Sequence, residues 1–273
     1  MPDIRTILVP FHDGLPDVAM GAGPRVLIED IGGDAASVPP VETARPEVAR
    51  SIELDRRLAD LVAETVEDGA FPLVLAGACN SALGTVAGVG GPPIGVVWLD
   101  SHADFDTAED NVSGFFDVMA LSMLTGSAWQ AQRASIRGLR PVPEDHVVLA
   151  ALRDLAPYQR ERAERSAMRL VPGAFAIEDL AEALDGLRER VARAYLHLDL
   201  DALDVGEGRA NEYASGGGPS LATLLDAVDA VFDRFDVAAA ALTAYDPAVD
   251  GDGRARAAAG SLLARIAERA RVG

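Results

Sequence analysis

The sequence predicts an α/β protein in which helices cover both faces of a parallel sheet. Two observations carry this prediction. Short apolar runs rich in valine, isoleucine and leucine recur along the chain, and segments with helical periodicity lie between several of them. Strands that have no polar face and alternate with helices are typical of a parallel sheet buried on both sides.

The apolar runs and the periodic segments give the individual elements. Strands are predicted over residues 6–11, 71–77, 94–100, 146–152, 194–204 and 237–247. Helices are predicted over residues 45–68, 176–194 and 254–272. Stretches rich in glycine and proline, at 11–24, 88–93 and 206–220, are long enough to form a site. With no internal repeat or linker, we expect one domain over residues 1–273.

Composition excludes several classes of function. The 273 residues carry a formal charge of −19, which argues against nucleic acid or an anionic membrane as a partner, because either requires a basic face. The chain contains no lysine. A Schiff-base lysine, a pyridoxal-phosphate site and a lysine-bearing phosphate loop are therefore excluded.

The expected location is the cytoplasm. No apolar run approaches the roughly 20 residues that span a bilayer, and the N-terminal stretch MPDIRTILVPF lacks a basic region and a cleavage site. The single cysteine, Cys79, cannot form an internal disulfide, which fits a reducing compartment.

Acidic residues follow two of the predicted strands at every second position. The first group is Asp100, His102, Asp104 and Asp106, in the stretch LDSHADFD, and the second is Asp199 and Asp201, in LHLDLDALD. A spacing of two places side chains on one side of an extended backbone. Ligands bind at the carboxyl ends of parallel strands, and crowded carboxylates repel one another unless cations lie between them. The sequence thus predicts a divalent-cation site, with solvated acidic loops as the alternative.

These motifs resemble those of the arginase/agmatinase family, the ureohydrolases. The resemblance rests on DSHAD and HLDLDALD, on the N-terminal pattern VPFHDG…GAGPRVLIEDI and on the closing TAYDP. It implies a three-layer α/β/α fold, a homo-oligomer and two divalent cations, with Mn²⁺ expected. It also implies that Asp100 and Asp199 bridge the cations, that His102 and Asp201 complete one metal site, and that Asp104 serves the other.

Cys79 departs from the family pattern. In the stretch AGACNSALGT it aligns with the family's histidine ligand, while a frame shifted by one would place Asn80 there. Cys79 is either a buried apolar thiol or a thiolate ligand at a helix N-terminus. Thiolate suits Zn²⁺ or Fe²⁺ better than Mn²⁺, so both remain alternatives for the cofactor.

Further departures concern the substrate. In the frame of the resemblance, Asp117 replaces the proton-shuttling histidine of arginases, and Asp106 replaces an asparagine that holds the amino-acid head group. Ser113 is kept from the same head-group element, but Phe115 supplies no polar contact. An aspartate that reads the α-amino group is Ala156 here, and an expected glutamate aligns with Thr223. These losses predict a substrate other than L-arginine.

Other residues have open roles. Asp117 is a candidate for proton transfer or an N-cap of the segment that follows it. Asn211 and Glu212 are candidate contacts for a cationic substrate, or members of a solvated loop. His102 is a candidate catalytic residue as well as a ligand. His197 is either directed into the site or structural, His12 lies on a loop that borders the site in the family, and His146 is expected to be structural.

The resulting hypothesis is a dinuclear metal-dependent hydrolase that cleaves a C–N bond of a small guanidino or amidino compound with a metal-bridging hydroxide. The N-hydroxy-arginine amidinohydrolases are a related branch with an altered histidine ligand. The alternative is a catalytically inactive ureohydrolase-fold protein that acts as a ligand sensor or an assembly subunit. A mononuclear site formed by Asp100, His102, Asp199 and Asp201 is a third reading.

Overall fold

The computed structural model of the chain describes residues 3–32 and 35–272. In chain order the strands are β1 (Ile4–Val9), β2 (Phe11–His12), β3 (Leu15–Pro16), β4 (Ala35–Ser37), β5 (Phe71–Ala76), β6 (Ile94–Leu99), β7 (Val147–Leu152), β8 (Arg169–Pro172), β9 (Arg193–Asp199) and β10 (Asp236–Thr243). The small strands β2 and β3 pair antiparallel. The other eight form one parallel sheet in the order β4-β1-β5-β10-β9-β6-β7-β8.

Helices cover both faces of this sheet. In chain order they are α1 (Gly23–Ile31), α2 (Glu47–Glu67), α3 (Ala82–Val89), α4 (Ala120–Thr125), α5 (Gln130–Arg133), α6 (Pro157–Arg165), α7 (Ile177–Arg188), α8 (Leu221–Phe232) and α9 (Arg254–Val272). One apolar core contains residues of α2, α3 and α4, and a second contains residues of α1, α7, α8 and α9. The predicted three-layer α/β/α fold is therefore confirmed. Within the described residues, no helix has the length and apolar character needed to cross a membrane.

The central strands form because their sequences have no polar face to expose. Every residue of β5, β6 and β7 is buried, as expected for strands that are covered on both sides. In β6, Trp98 packs into the core on the α2 side, while its neighbour Leu99 packs into the opposite core. Alternate residues of one strand thus reach opposite layers.

Helix α3 lies directly against α2 because glycines remove side chains from the contact. A Cβ atom on Gly84 would come within 2.5 Å of the Asp55 carbonyl oxygen, and one on Gly88 within 2.5 Å of the Ala59 carbonyl oxygen. Neither position has room for a side chain. This close contact fixes the position of α3 and so of the 3₁₀ turn before it, Cys79–Ser81.

All six predicted strands are present, and their bounds shift by a few residues. The strand predicted over 194–204 ends at Asp199 and continues as a 3₁₀ turn, so the prediction is wrong for its last residues. The helix predicted over 176–194 ends at Arg188, because β9 begins at Arg193. Edge strands β4 and β8 were not predicted, since they are short and only partly buried.

Candidate metal centre and cavity

The carboxyl ends of neighbouring strands bring the acidic motifs together. The register pairs Thr243 of β10 with Asp199 of β9, and Trp98 of β6 with His197 of β9. Asp100 comes directly after β6, so it leaves the sheet beside Asp199. Two carboxylates from distant parts of the sequence therefore meet at one edge of the sheet.

Each acidic motif turns back on itself where its strand ends. Oδ1 of Asp100 accepts the backbone N–H of His102 at 2.7 Å, and Oδ1 of Asp199 accepts that of Asp201 at 2.8 Å. Aspartate often closes such a turn onto the N–H two residues later. The extended backbone that the spacing of two suggested for residues 100–106 is wrong, because β6 ends at Leu99. Both motifs reach the site through aspartate turns instead.

Two groups of ligand atoms share one carboxylate. Cys79, Asp100 and Asp199 form the first group, and Asp100, His102 and Asp201 form the second. Within each group the ligand atoms all lie within 4.8 Å of one another. Asp104 lines the same cavity but belongs to neither group. Thiolate, imidazole and carboxylate at this separation are a donor set that suits divalent transition metals.

The lining of the cavity contains more acidic side chains than basic ones. The cavity has a volume of about 340 Å³, and its acidic lining consists of Asp100, Asp104, Asp117, Asp199 and Asp201. Burial raises the pKa values of Asp100, Asp104 and Asp199 above the ordinary range, and neighbouring carboxylates raise them further. Because these groups resist ionisation as a set, bound cations would stabilise the charged form. The donor set and the charge of the cavity both fit divalent metals.

His102 is the one lining side chain among the described residues that can carry a positive charge. Its Nδ1 lies 3.4 Å from Oδ1 of Asp100 and 3.4 Å from Oδ2 of Asp201. Burial lowers the pKa of His102, but these two carboxylates outweigh burial and leave the pKa well above its usual value. The same pairing holds the pKa of Asp201 below its ordinary value, although burial opposes it.

Cys79 contacts one ligand group and the strand behind it. Its Sγ donates to Oδ2 of Asp199 at 2.9 Å and lies 3.3 Å from Oγ1 of Thr243. Burial raises the pKa of the Cys79 thiol well above its usual value, and Asp199 raises it further. The thiol is thus held in its neutral form unless a cation binds beside it. Asn80, the alternative ligand in the shifted frame, belongs to neither ligand group.

A series of hydrogen-bonded side chains lies beneath the ligand groups. The Tyr195 hydroxyl lies 2.9 Å from Nδ1 of His197, and Nε2 of His197 lies 3.4 Å from Oγ1 of Thr243. The His197 ring stacks on Trp98 with centroids 3.6 Å apart, and the Trp98 indole N–H donates to Oδ2 of Asp100 at 3.0 Å. Burial lowers the pKa of His197 to about 3, so the ring is neutral. His197 is therefore a structural residue beneath the site.

Asp117 holds the segment that carries Cys79. Its Oδ2 accepts the backbone N–H of Cys79 at 2.8 Å, and its Oδ1 accepts that of Asn80 at 2.7 Å. The reading of Asp117 as the N-cap of the helix that follows it is wrong, because its side chain caps the turn before α3. Burial raises the pKa of Asp117 to about 7, and the two N–H donors only partly oppose this.

The structure separates the four predicted substrate contacts into two pairs. Ser113 and Asn211 line the cavity, whereas Asp106 and Glu212 do not. Asn211 is almost fully engaged, because its amide donates to Oδ2 of Asp201 at 3.3 Å and to the Ala244 carbonyl at 2.9 Å. Asp106 accepts the Tyr158 hydroxyl at 3.0 Å and the Gln159 amide at 3.1 Å. Glu212 is exposed.

Several lining residues were not identified from the sequence. They are Met20, Val118, Tyr158, Gln159, Tyr213 and Ala244. Tyr158 and Gln159 follow the carboxyl end of β7, and Tyr213 lies on the glycine-rich loop after β9. Their position after strand ends was the available signal, although Tyr158 and Gln159 lie in the first turn of α6 and not in a loop. Arg153, also after β7, donates to the carbonyls of Asp201 and Leu203 and so fixes the second acidic motif.

Comparison with known proteins agrees with the fold and the motifs. A family model described as "Arginase family" matches residues 26–267. The arginase of Bacillus caldovelox is 34% identical over 160 residues, which cover 56% of this chain and 53% of that protein. The aligned stretch therefore spans about half the length of this curated relative.

Solved structures extend the similarity to the whole fold. The Bacillus caldovelox arginase superposes with a TM-score of 0.82 at 24% identity, covering 97% of this chain and 98% of that one. The proclavaminate amidino hydrolase of Streptomyces clavuligerus superposes with a TM-score of 0.74 at 16% identity, covering 100% of this chain and 93% of that one. At such identities these likenesses show the fold alone. Because the family model covers nearly all of the sequence, the chain belongs to the arginase family.

Proposed function

We propose that this chain is a metal-dependent hydrolase that cleaves a C–N bond of a guanidino or amidino compound other than L-arginine. One observation carries the proposal: Asp100 belongs to two separate groups of ligand atoms at the floor of one cavity. A carboxylate shared in this way is suited to bridging two cations. Membership of the arginase family supports the same reaction class.

Two cations would be held by residues of three strand ends. Cys79 and Asp199 would hold one cation, His102 and Asp201 the other, and Asp100 both. When bound, such a pair lowers the pKa of water to near 7 and offsets negative charge that develops on the substrate. Mn²⁺ is the proposed metal, with Zn²⁺ or Fe²⁺ favoured if the Cys79 thiolate is a ligand.

The chain's own residues would move protons and hold the ligand geometry. Asp117 lines the cavity and has a pKa raised to about 7 by burial, so its carboxylate can accept and return a proton near neutral pH. Its oxygens each accept one backbone N–H and retain a further lone pair. His102 is partly exposed, and its Nε2 lies 4.0 Å from Asp154, which offers a route for protons toward solvent.

The remaining predicted contacts would act in two ways. Ser113 would contact the substrate directly, because it lines the cavity. Asn211 and Asp106 would act as positioning residues, since their polar atoms already bind Asp201 and the Tyr158–Gln159 wall. Glu212, exposed beside the cavity, would contribute negative charge to its surroundings.

L-arginine is disfavoured because the cavity offers no unpaired cationic side chain for an α-carboxylate among its described residues. Apart from His102, none of its described lining residues can be cationic, and His102 already faces Asp100 and Asp201. A site that leaves a substrate carboxylate unpaired discriminates against it. The curated relatives are named arginase, so L-arginine is the competing substrate in any test.

Metal content and urea release test the proposal together. Protein stripped with chelator and reloaded with Mn²⁺ should bind about two equivalents, and release urea or a substituted urea from a panel of guanidino and amidino compounds. Asp100→Asn should lose metal binding and urea release. Asp60→Asn, at an exposed position on α2, should keep both activities. No bound metal would favour an inactive sensor or assembly subunit, and one equivalent that Cys79→Ser leaves unchanged would favour a mononuclear site.

A further inference from the structure

The outer part of the cavity is walled by aromatic rings. Phe115 and Tyr213 both line the cavity and stack on each other, with ring centroids 5.9 Å apart and planes inclined by 23°. Tyr213 is 48% exposed, a large exposed fraction for an aromatic side chain. His12 packs against the other side of the pair, with its ring 5.5 Å from Phe115.

The polar atoms of the neighbouring wall are already used within the protein. The Tyr158 hydroxyl and the Gln159 amide both donate to Asp106, and Oε1 of Gln159 accepts the backbone N–H of Ala156. The Asn211 amide is likewise bound to Asp201. These residues therefore present carbon surface to the cavity, and Met20 and Val118 add more.

The surroundings of this aromatic pair are acidic. Burial raises the pKa of Tyr213, and the nearby carboxylates of Asp13 and Glu212 raise it further. His12, which packs beside Phe115, has its Nε2 3.7 Å from a carboxylate oxygen of Asp13. An anionic group on a ligand would be repelled by these carboxylates, and apart from His102 no described residue that lines the cavity can be cationic.

We infer that the substrate joins a cationic amidine or guanidine head, placed over the carboxylate floor, to an uncharged apolar tail that packs on Phe115 and Tyr213. This inference rests on the proposed function and deepens it, because it names the class of substrate. The head lies over the carboxylates at the floor of the cavity. The tail contacts the two aromatic rings and the side chains whose polar groups are already hydrogen-bonded within the protein. A pocket with apolar walls and a few converging polar groups is typical of selective small-molecule sites. Phe115 and Tyr213 are then the residues that determine tail specificity.

Matched compounds test the tail. Butylguanidine and guanidinobutyrate carry three methylenes that end in a methyl or a carboxylate group, aminobutylguanidine carries four that end in an ammonium group, and phenylpropylguanidine ends three methylenes in a phenyl ring. On the Mn²⁺-loaded full chain we expect kcat/KM for the two compounds with an uncharged tail to exceed that for either compound with a charged tail by about tenfold or more. Isothermal titration calorimetry should give the same order of affinity.

Variants at the aromatic pair make the test specific. Phe115→Ala with Tyr213→Ala should lower kcat/KM and affinity for phenylpropylguanidine by about tenfold or more, and change those for methylguanidine by less than about threefold. Val112→Ala is the control, because Val112 is 86% exposed on the same loop and does not line the cavity. Val112→Ala should leave kcat/KM and affinity unchanged for both phenylpropylguanidine and methylguanidine.

The inference and the proposed function fail differently. Selective binding of neutral-tailed compounds without turnover of any compound would overturn the proposed function and support the inference about the tail. Turnover with equal or greater kcat/KM for guanidinobutyrate or aminobutylguanidine would overturn the inference and leave the hydrolase intact. Absence of binding by every neutral-tailed compound would also overturn the inference.

Discussion

The Sγ atom of Cys79 lies 2.9 Å from Oδ2 of Asp199, at the sheet edge where β5 and β9 end on either side of β10. A thiol that donates to a carboxylate in a buried site is neutral, and a cation bound between the two groups would replace the shared proton. Cys79 is therefore placed to become a metal ligand when a cation binds beside Asp199.

Replacement of Cys79 should change metal binding more than folding. We expect Cys79→Ser to lose about one of two metal equivalents, since a serine hydroxyl is a much weaker ligand than a thiolate. Cys79→His should restore the second equivalent and shift the preference toward Mn²⁺. Elemental analysis gives the stoichiometry, and Co²⁺-loaded protein should show a thiolate-to-metal charge-transfer band that Cys79→Ser abolishes. An unchanged stoichiometry and spectrum would contradict a thiolate ligand.

Thr243 should affect metal affinity through its hydroxyl. Its Oγ1 lies 3.3 Å from Sγ of Cys79 and 3.4 Å from Oδ2 of Asp199. Thr243→Val keeps the shape but removes the hydrogen bonds, so we expect metal affinity to fall by about 10- to 100-fold. Thr243→Ser keeps the hydroxyl and should remain within about threefold of the parent chain. Competition with a fluorescent chelator measures both, and equal losses in the two variants would rule out a role for the hydroxyl.

Asp117 combines a structural contact with a proposed proton role, and Asp117→Asn separates them. An amide can still accept one of the two N–H bonds from residues 79 and 80, but it cannot transfer a proton. We expect kcat to fall by about 10² or more while the metal content stays at the parent value. Steady-state kinetics with elemental analysis provide the readout. If Asp117→Asn instead loses one metal equivalent, while kcat per protein molecule that holds both metals stays at the parent value, Asp117 acts only by holding Cys79 in place.

Asp55 should make the metal-free protein less stable as pH rises. This carboxyl is buried on α2, its Oδ2 has no hydrogen-bond partner among the described residues, and burial raises its pKa well above the ordinary 3.8. Stability that depends on the protonated acid is complete below the unfolded pKa and is lost as pH rises through the folded pKa. Asp55→Asn should therefore match the parent near pH 4 and exceed it at pH 8 by about 1–2 kcal/mol.

Urea unfolding of metal-free protein at both pH values measures this difference. Asp60→Asn is the control, because Asp60 is exposed on the same helix. It should shift the free energy of unfolding by less than about 0.5 kcal/mol at either pH. A loss of stability in Asp55→Asn that is the same at both pH values would contradict the account of a buried, protonated acid.

The central strands could be predicted from the sequence, whereas the edges and the cavity wall could not. The runs that became β5, β6 and β7 are apolar throughout because both of their faces are covered. Edge strands such as β4 have only three residues and little burial, so they carry no such pattern. The acidic clusters do lie where strands end, but the spacing of two arises from turns closed by Asp100 and Asp199.

The wall residues depend on contacts between loops that are far apart in the chain. Phe115 meets Tyr213 across 98 positions, and Asp106 meets Tyr158 across 52. Such pairs leave no local periodicity, because three of these residues lie in loops and Tyr158 lies in the first turn of α6, and only the fold brings them together. The same holds for Asp117 and the N–H groups that it caps.

The central claim is that the two ligand groups hold a pair of cations through Asp100, and crystals of the Mn²⁺-loaded chain test it most directly. An anomalous difference map should show two peaks roughly 3.5–4 Å apart, one beside Cys79 and Asp199 and the other beside His102 and Asp201. A map without a peak in this cavity, recorded from crystals soaked in excess Mn²⁺, would contradict the claim.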